Sequence, residues 1–276
     1  MKKPDWLKIP YYYNESSNKM KDLLVELGLN TVCVEANCPN CSECFSNSTA
    51  TFMIMGTNCT RSCSFCNVRS GEPNAIDINE PERVAKAVRR LSLRYVVITS
   101  VTRDDLPDGG AEHFADVIRE VKAASPQTRI EVLIPDLQDI TVIADESPAV
   151  ISHNIETVKS LYNDVRPQAS YEHSLNVIKS IKHINPLIRA KSGLMLGMGE
   201  TFDEVLEVFD DLLEAGCDIL TIGQYLAPSK QHYPVIEYIH PHKFDKYHEI
   251  AKQKGFAFVA AAPLVRSSYN AEKALI

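Results

Sequence analysis

Short runs of β-branched and apolar residues recur along the chain at 51–55, 95–101, 129–134, 150–155, 188–196 and 219–225. Between them lie segments whose apolar residues return every three to four positions. This alternation predicts parallel strands joined by crossover helices. Phe114, Val117, Ile118 and Val121 follow the i, i+3, i+4, i+7 spacing of one helix face, as do Val205, Val208, Phe209 and Leu212. Val84, Val88 and Leu91 repeat it more weakly. Thr201, with Glu204 three residues on, has the form of a capping box and places a helix start just after the strand that ends near Leu196. Six βα units with right-handed connections suit a barrel-like or open parallel sheet, with its ligand at the C-terminal strand ends. A doubly wound sheet is the competing architecture.

Composition adds little to the fold and more to the chemistry. A hydrophobic fraction of 45% and a charged fraction of 24% let 276 residues bury a core without covalent help. The longest apolar stretch, 256–264, is far shorter than the about 20 residues of a spanning helix. The first residues lead into no apolar export signal, so the expectation is a cytoplasmic protein that does not engage a membrane. A formal net charge of −7 argues against binding nucleic acid through bulk electrostatics. Seven of the eight cysteines fall in the 34 residues from Cys33 to Cys66. In a reducing compartment such crowding points to metal ligation or catalytic thiols rather than disulfides.

Cys59, Cys63 and Cys66 form a C-x3-C-x2-C directly after the first strand, where the active-site loop of a βα unit belongs. Three soft thiolates on a four-iron cluster leave one iron open to an outside ligand, whereas a closed zinc site needs four donors. Cys38-x2-Cys41 with Cys63-x2-Cys66 approaches a zinc pattern but strands Cys33, Cys44 and Cys59. A ferredoxin-type run from Cys38, Cys41 and Cys44 fails because Ser48 stands where the next cysteine is required. Cys217, alone at the start of an apolar strand, is expected to be a core residue.

The segment Gly56-Thr57-Asn58-Cys59-Thr60-Arg61-Ser62-Cys63-Ser64-Phe65-Cys66 resembles the cluster loop of radical S-adenosylmethionine enzymes. With the upstream Cys33-x4-Cys38-x5-Cys44 and the near-terminal Arg266-Ser267-Ser268-Tyr269, the chain resembles the lipoyl synthase family of that superfamily from Lys3-Pro4-Asp5-Trp6-Leu7 to about Asn270. The resemblance implies a partial (β/α)6 TIM-like barrel at 51–230. An N-terminal extension, 1–50, would carry an auxiliary cluster, and a C-terminal extension, 231–276, would return to ligate it.

By the same resemblance there are two [4Fe-4S] clusters. Cys59, Cys63 and Cys66 hold the one that binds S-adenosylmethionine; Cys33, Cys38, Cys44 and Ser268 hold the auxiliary one, with Ser267 the weaker candidate. Asn58, Phe65, Thr99, Ser100, Asn154, Glu156, Ser192 and Met195 are placed along the S-adenosylmethionine site, the last within Gly193-x-Met195-x-Gly197-x2-Glu200. The implied reaction inserts two sulfur atoms at carbons six and eight of an octanoyl-lysine on a carrier protein and consumes two S-adenosylmethionine molecules. The carriers are 2-oxoacid dehydrogenase E2 domains and the glycine cleavage H protein, and ferredoxin or flavodoxin supplies electrons. Another radical sulfur-inserting or methylthiolating enzyme, or a zinc-binding module, is the alternative.

Some residues stay outside this scheme. Cys41 lies between two ligands and reads as a spare thiol that would replace Cys38 or Cys44 if either were misassigned. His153 is read equally as a ligand contact or a polar loop residue. His232, His240, His242 and His248 show no metal-ligand spacing and are expected at the surface or as caps. Arg83, Lys86, Arg89, Arg90 and Arg94 suit a solvated helix face, with docking of an acidic carrier as the functional reading.

Overall fold

The computed structural model describes residues 2–8, 15–46 and 49–275. Two compact units divide the chain: a first of Pro10–Arg61 and Asn67–Ile151, and a second of Met1–Ile9, Ser62–Cys66 and Ser152–Ile276.

The first unit runs α1 (Glu15–Leu27), β1 (Asn30–Thr31), α2 (Val32–Glu35), α3 (Cys41–Ser46), β2 (Thr51–Ile54), β3 (Asn58–Cys59), β4 (Arg69–Ser70), α4 (Glu80–Arg90), β5 (Tyr95–Ser100), α5 (Ala111–Ala124), β6 (Arg129–Leu133) and α6 (Thr141–Asp145), up to β7 (Val150–Ser152). β2, β5 and β6 pair in parallel, from Thr51↔Val97 and Tyr95↔Arg129, and β1 adds an antiparallel edge through Asn30↔Met53. The expected stripe of α5, Phe114 to Val121, is buried, as are Val84 and Val88 of α4 beside it. Burying each such side chain contributes about 1.5–3 kcal/mol.

The basic stretch takes its place from α4. Glu80 and Glu82 sit in its first turn and Arg89 and Arg90 in its last, the arrangement that complements a helix dipole. Arg83 pairs with Asp77 at 2.8 Å and Arg90 with Glu26 at 2.5 Å.

The second unit contains α7 (Tyr162–Val165), α8 (Tyr171–Ile184), β8 (Arg189–Leu196), α9 (Phe202–Glu214), β9 (Ile219–Gln224), α10 (Pro241–Lys254) and β10 (Phe258–Ala261). β8, β9 and β10 are parallel, from Lys191↔Ile219 and Ile219↔Phe258, and all six residues of β9 are buried. The capping box is present: Thr201 Oγ1 accepts Glu204 N–H at 3.3 Å, and Glu204 Oε2 accepts Thr201 N–H at 2.7 Å. Val205, Val208, Phe209 and Leu212 are buried behind it.

This is an α/β chain of parallel strands joined by helices, and all six expected strands occur. Within each unit successive strands add on one side, without the reversal that defines a doubly wound sheet. β10 was not expected: its Phe-Val-Ala-Ala run has little β-branched content, and its place is set by pairing to β9. The fourth strand is shorter than expected because the backbone leaves it at His153 and reaches a left-handed φ of 67° at Glu156. Cys217 is buried as expected, and burial pushes its thiol up to about 12. Among the described residues no helix is long and apolar enough to cross a membrane.

Thr201→Ala removes the acceptor that closes the first turn of α9 and should cost about 1 kcal/mol in denaturant-induced unfolding, with the denaturant slope unchanged.

Candidate active site

The cysteine loop begins where β2 ends. Met55 and Gly56 both take left-handed conformations, with φ of 65° and 92°. A Cβ at Gly56 would come within 2.5 Å of Asn74 Oδ1, which accepts the N–H of Thr57 at 3.1 Å. Glycine is therefore required for this turn. A left-handed methionine costs about 1–3 kcal/mol and persists only where its surroundings hold it. β3 then pairs with β4 through Asn58↔Arg69 and Cys59↔Ser70, and the loop base is closed by Asn58 Nδ2 donating to Glu72 O at 2.9 Å.

Cys59 is half-buried, and its Sγ accepts the N–H groups of Thr102 at 3.3 Å and Arg61 at 3.4 Å. Arg61 grips Asp104 through two bonds at 2.9 and 2.8 Å and also pairs with Asp136, whose side chain is 4% exposed. Thr60 completes the clamp by donating from Oγ1 to Asp104 Oδ2 at 2.8 Å. The Arg61 guanidinium holds the Asp104 carboxyl below the usual carboxylate range. Arginine suits this position because its planar fork meets two carboxylates at fixed angles.

Cys63 and Cys66 belong to the second unit and are held mainly through backbone. Gln168 Oε1 accepts Ser62 N–H at 2.7 Å, Val165 O accepts Ser64 N–H at 3.0 Å, and Ser64 O accepts Tyr233 N–H at 2.8 Å. Cys66 N–H donates to Cys63 O at 3.1 Å. His232 Nε2 lies 3.1 Å from Cys66 O; a carbonyl only accepts, so Nε2 carries the proton and Nδ1 accepts from Ser229 Oγ at 2.8 Å. His232 thus departs from the surface or capping role expected of it, whereas His240 does cap α10. Phe65 packs with Met195, Tyr233 and the buried cluster of Val165, Met198 and Tyr225.

The upstream cysteines are drawn together by a compact fold. Cys33 O accepts Cys38 N–H at 3.1 Å, Cys38 O accepts Cys41 N–H at 3.2 Å, and Asn40 O accepts Cys44 N–H at 2.9 Å. Burial pushes the thiols of Cys33 and Cys44 up to about 12, and the neighbouring thiols add to it. Cys41 is raised by burial and by Cys38, against a lowering from Lys21. Asn67, the residue after Cys66, donates to Glu35 O at 2.8 Å and so ties the end of the cysteine loop to α2, which carries Cys33. All eight cysteines are free thiols. Among the described residues, no three Cys, His, Asp or Glu side chains converge at the spacing of a single metal ion. The donor chemistry fits iron–sulfur ligation: soft sulfurs, in a place where their own negative charge is unfavourable and an iron group would offset it.

Ser267 and Ser268 are half-buried in a turn closed by Tyr269 N–H to Arg266 O at 3.0 Å. The segment before it lies on β9, where Gln224 N–H donates to Pro263 O at 3.1 Å. A Cβ at Gly223 would meet Val265 O at 2.2 Å, so only glycine admits this approach.

Two residues named for S-adenosylmethionine have orphaned buried oxygens: Ser100 Oγ in the first unit and Asn154 Oδ1 in the second. Asn58 Oδ1 is a third. Asn154 Nδ2 donates to Glu156 Oε1 at 3.1 Å, and a Cβ at Gly193 would meet Asn154 Oδ1 at 2.7 Å. Within the second unit, the orphaned Asn154 oxygen next to a left-handed Glu156 fits a donor group of a ligand, such as an ammonium or a hydroxyl. Thr99 and Ser192 are already engaged: Thr99 Oγ1 donates to Leu133 O at 3.0 Å, and Ser192 Oγ accepts Ile155 N–H at 3.0 Å. His153, 1% exposed, bonds Ser174 Oγ at 3.0 Å in a network with Tyr162 and Arg166, and Arg166 in turn donates to Asn154 O at 3.3 Å. Sequence reasoning missed Arg61, Asp104, Asp136, Gln168 and His232, which act through contacts distant along the chain, and Arg166, whose partners lie within twelve residues but carry no motif.

The profile of the Radical SAM superfamily matches residues 53–212. Among solved structures, the chain resembles Streptococcus suis SuiB bound to S-adenosylmethionine, with a TM-score of 0.59 at 10% identity over 80% of this chain and 53% of that one. It also resembles methylornithine synthase (PylB), with a TM-score of 0.57 at 14% identity over 94% and 86%. These likenesses show the fold, and with the profile they place the chain in the radical S-adenosylmethionine superfamily. It is 56% identical to the lipoyl synthase of Caldicellulosiruptor saccharolyticus over 99% of this chain and 97% of that one. It is 54% identical to that of Alkaliphilus metalliredigens over 99% and 96%. The chain belongs to the lipoyl synthase family.

Arg61→Ala leaves Asp136 without its guanidinium and should cost about 3 kcal/mol of stability. Arg61→Lys, which keeps the charge but loses the fork, should also take up less iron on anaerobic reconstitution than the wild type, measured as iron per folded chain.

Proposed function

We propose that this chain inserts two sulfur atoms at carbons six and eight of an octanoyl group carried on a lysine of a carrier protein. The observation that carries the reading is full-length identity above one half to proteins named lipoyl synthase, joined to the three residue sets of this chain that carry the family resemblance: Cys59, Cys63 and Cys66; Cys33, Cys38 and Cys44; and Arg266 to Tyr269.

On this reading Cys59, Cys63 and Cys66 hold one four-iron cluster and leave a position for the amino and carboxylate groups of S-adenosylmethionine. Cys33, Cys38, Cys44 and Ser268 hold a second. When bound, these groups supply a radical able to take hydrogen from an unactivated C–H bond, and the sulfur that replaces it. No side chain is basic enough to remove such a hydrogen as a proton.

The residues of the chain bind, orient and exclude water. Thr102 and Arg61 N–H groups orient the Cys59 sulfur, and the Arg61 clamp fixes the loop around it. Asn154, Glu156 and Ser100 offer acceptors to the ammonium and ribose of the cosubstrate, and the apolar group of Phe65, Met195 and Tyr225 shields it. Ser268 supplies an oxygen where a thiolate would bind iron more tightly, which suits a ligand that must let go as sulfur is given up. Asn67, bonded to Glu35, ties the residue that follows the cysteine loop to the helix that carries Cys33.

Residues 1–50 then serve as the auxiliary-cluster extension, 51–230 as the core and 231–276 as the returning segment, in a cytoplasmic enzyme. Its partners are octanoylated E2 domains or H protein and a ferredoxin or flavodoxin donor. Cys41 remains a spare thiol.

Anaerobic reconstitution should give about eight irons per chain, and about four in Cys33→Ala or Cys59→Ala. Cys33→Ala should still cleave S-adenosylmethionine yet form no lipoyl product on an octanoyl-lysyl peptide, and Ser268→Ala should lose most of that product. Cys41→Ser should keep both iron and product. Zinc in place of iron, or lipoyl formation by Cys33→Ala, would contradict the assignment.

A further inference from the structure

Met55 is held in its left-handed conformation by groups that have so far had no role. Its N–H lies just past the last β2–β5 pair, Ile54↔Ser100, and is accepted by Glu80 Oε2 at 2.8 Å. Its carbonyl accepts from Arg103 Nη1 at 3.3 Å. Its side chain, 1% exposed, lies against Gly110, where a Cβ would come within 2.3 Å of Sδ. Each holding group is itself held. His113 Nε2 lies 2.8 Å from the same Glu80 oxygen, and Asp105 takes Arg103 in a fork at 2.8 and 2.7 Å. Glu80, Arg103 and His113 are all buried. A carboxylate only accepts, so the Met55 amide and the imidazole both donate to it.

Cys59 follows Met55 by four positions, and the two left-handed residues in succession, Met55 and Gly56, decide which way the chain runs to it. Glycine would hold this φ without help, but the chain has methionine here, and a buried glutamate answers its amide. That is an arrangement for fixing a direction rather than for filling space. Glu80 touches no cysteine, so its influence on the site passes through the Met55 backbone.

We propose that Glu80 is a positioning residue for the reaction: with His113 and Arg103 it fixes the turn at Met55 and thereby the place of the Cys59 thiolate. The proposal rests on Cys59 being a cluster ligand.

The test uses reconstituted full-length enzyme, with two readouts: the change that S-adenosylmethionine makes in the electron paramagnetic resonance spectrum of the reduced protein, and steady-state formation of 5′-deoxyadenosine. Glu80→Leu removes the acceptor and should lower kcat for cleavage about tenfold to a hundredfold, with an altered cosubstrate-induced spectrum. The KM for S-adenosylmethionine should move less than about threefold. Glu80→Gln keeps an acceptor oxygen and should restore the wild-type spectrum. Gly110→Ala displaces Met55 from the other side without touching Glu80 and should reproduce the Glu80→Leu spectrum; it decides the matter where Glu80→Leu yields no folded chain. Wild-type kcat and spectrum in folded Glu80→Leu, or in Gly110→Ala, overturns the proposal. Cys59→Ala separates the two levels: if the cosubstrate-responsive signal survives there, the reading of Cys59 fails; if it vanishes there but is unchanged in Glu80→Leu, only the positioning role fails.

Discussion

On the proposed reading, three cysteine ligands on a loop of eight residues have to be kept in place without a fourth protein ligand to close the set. A structural zinc site is rigid because four donors enclose the metal; a site that leaves a coordination position open must take its rigidity from outside the ligands. Most of the polar structure around residues 55–66 answers that need. Arg61 is pinned by two carboxylates, Ser62 by Gln168, Ser64 by Val165 and Tyr233, and the carbonyl of Cys66 by His232. The anchors are hydrogen-bonding side chains and backbone groups, which hold direction better than apolar contacts do.

The same logic separates the two cysteine sets. In the loop, backbone N–H groups of Thr102 and Arg61 meet the Cys59 sulfur. In the upstream set, burial and mutual repulsion push the thiols of Cys33 and Cys44 up. On the proposed reading the upstream set depends on an iron group to offset its charge and on a serine oxygen for its last ligand, which suits a group that is taken apart as sulfur is transferred.

What could be read from the sequence follows from how local each feature is. The strand at 219–225 and the stripe from Val205 to Leu212 announce themselves because the period of burial is written in consecutive residues, and the Thr201 capping box closes within four positions. The cysteine spacing is equally local. β10 was hidden because alanines carry no strand signal of their own and its pairing partner lies some forty residues away. His232 and Gln168 were hidden for the same reason on a larger scale: each reaches the loop from more than one hundred residues away. His153 was ambiguous because a ligand contact and a polar loop residue look alike in sequence; the structure buries it and bonds it to Ser174. Arg89 and Arg90 needed the helix itself, since only its end explains why the positive charge gathers there.

The central claim is that one set of cysteines serves the radical and the other serves the sulfur. A single turnover on an octanoyl-lysyl peptide tests it directly, using enzyme reconstituted anaerobically with sulfur-34 sulfide and then freed of unbound sulfide. Mass spectrometry of the product should show both inserted sulfur atoms heavy, with no unlabelled lipoyl peptide. Light sulfur in the product, or a peptide that gains no sulfur while S-adenosylmethionine is cleaved, would contradict the account.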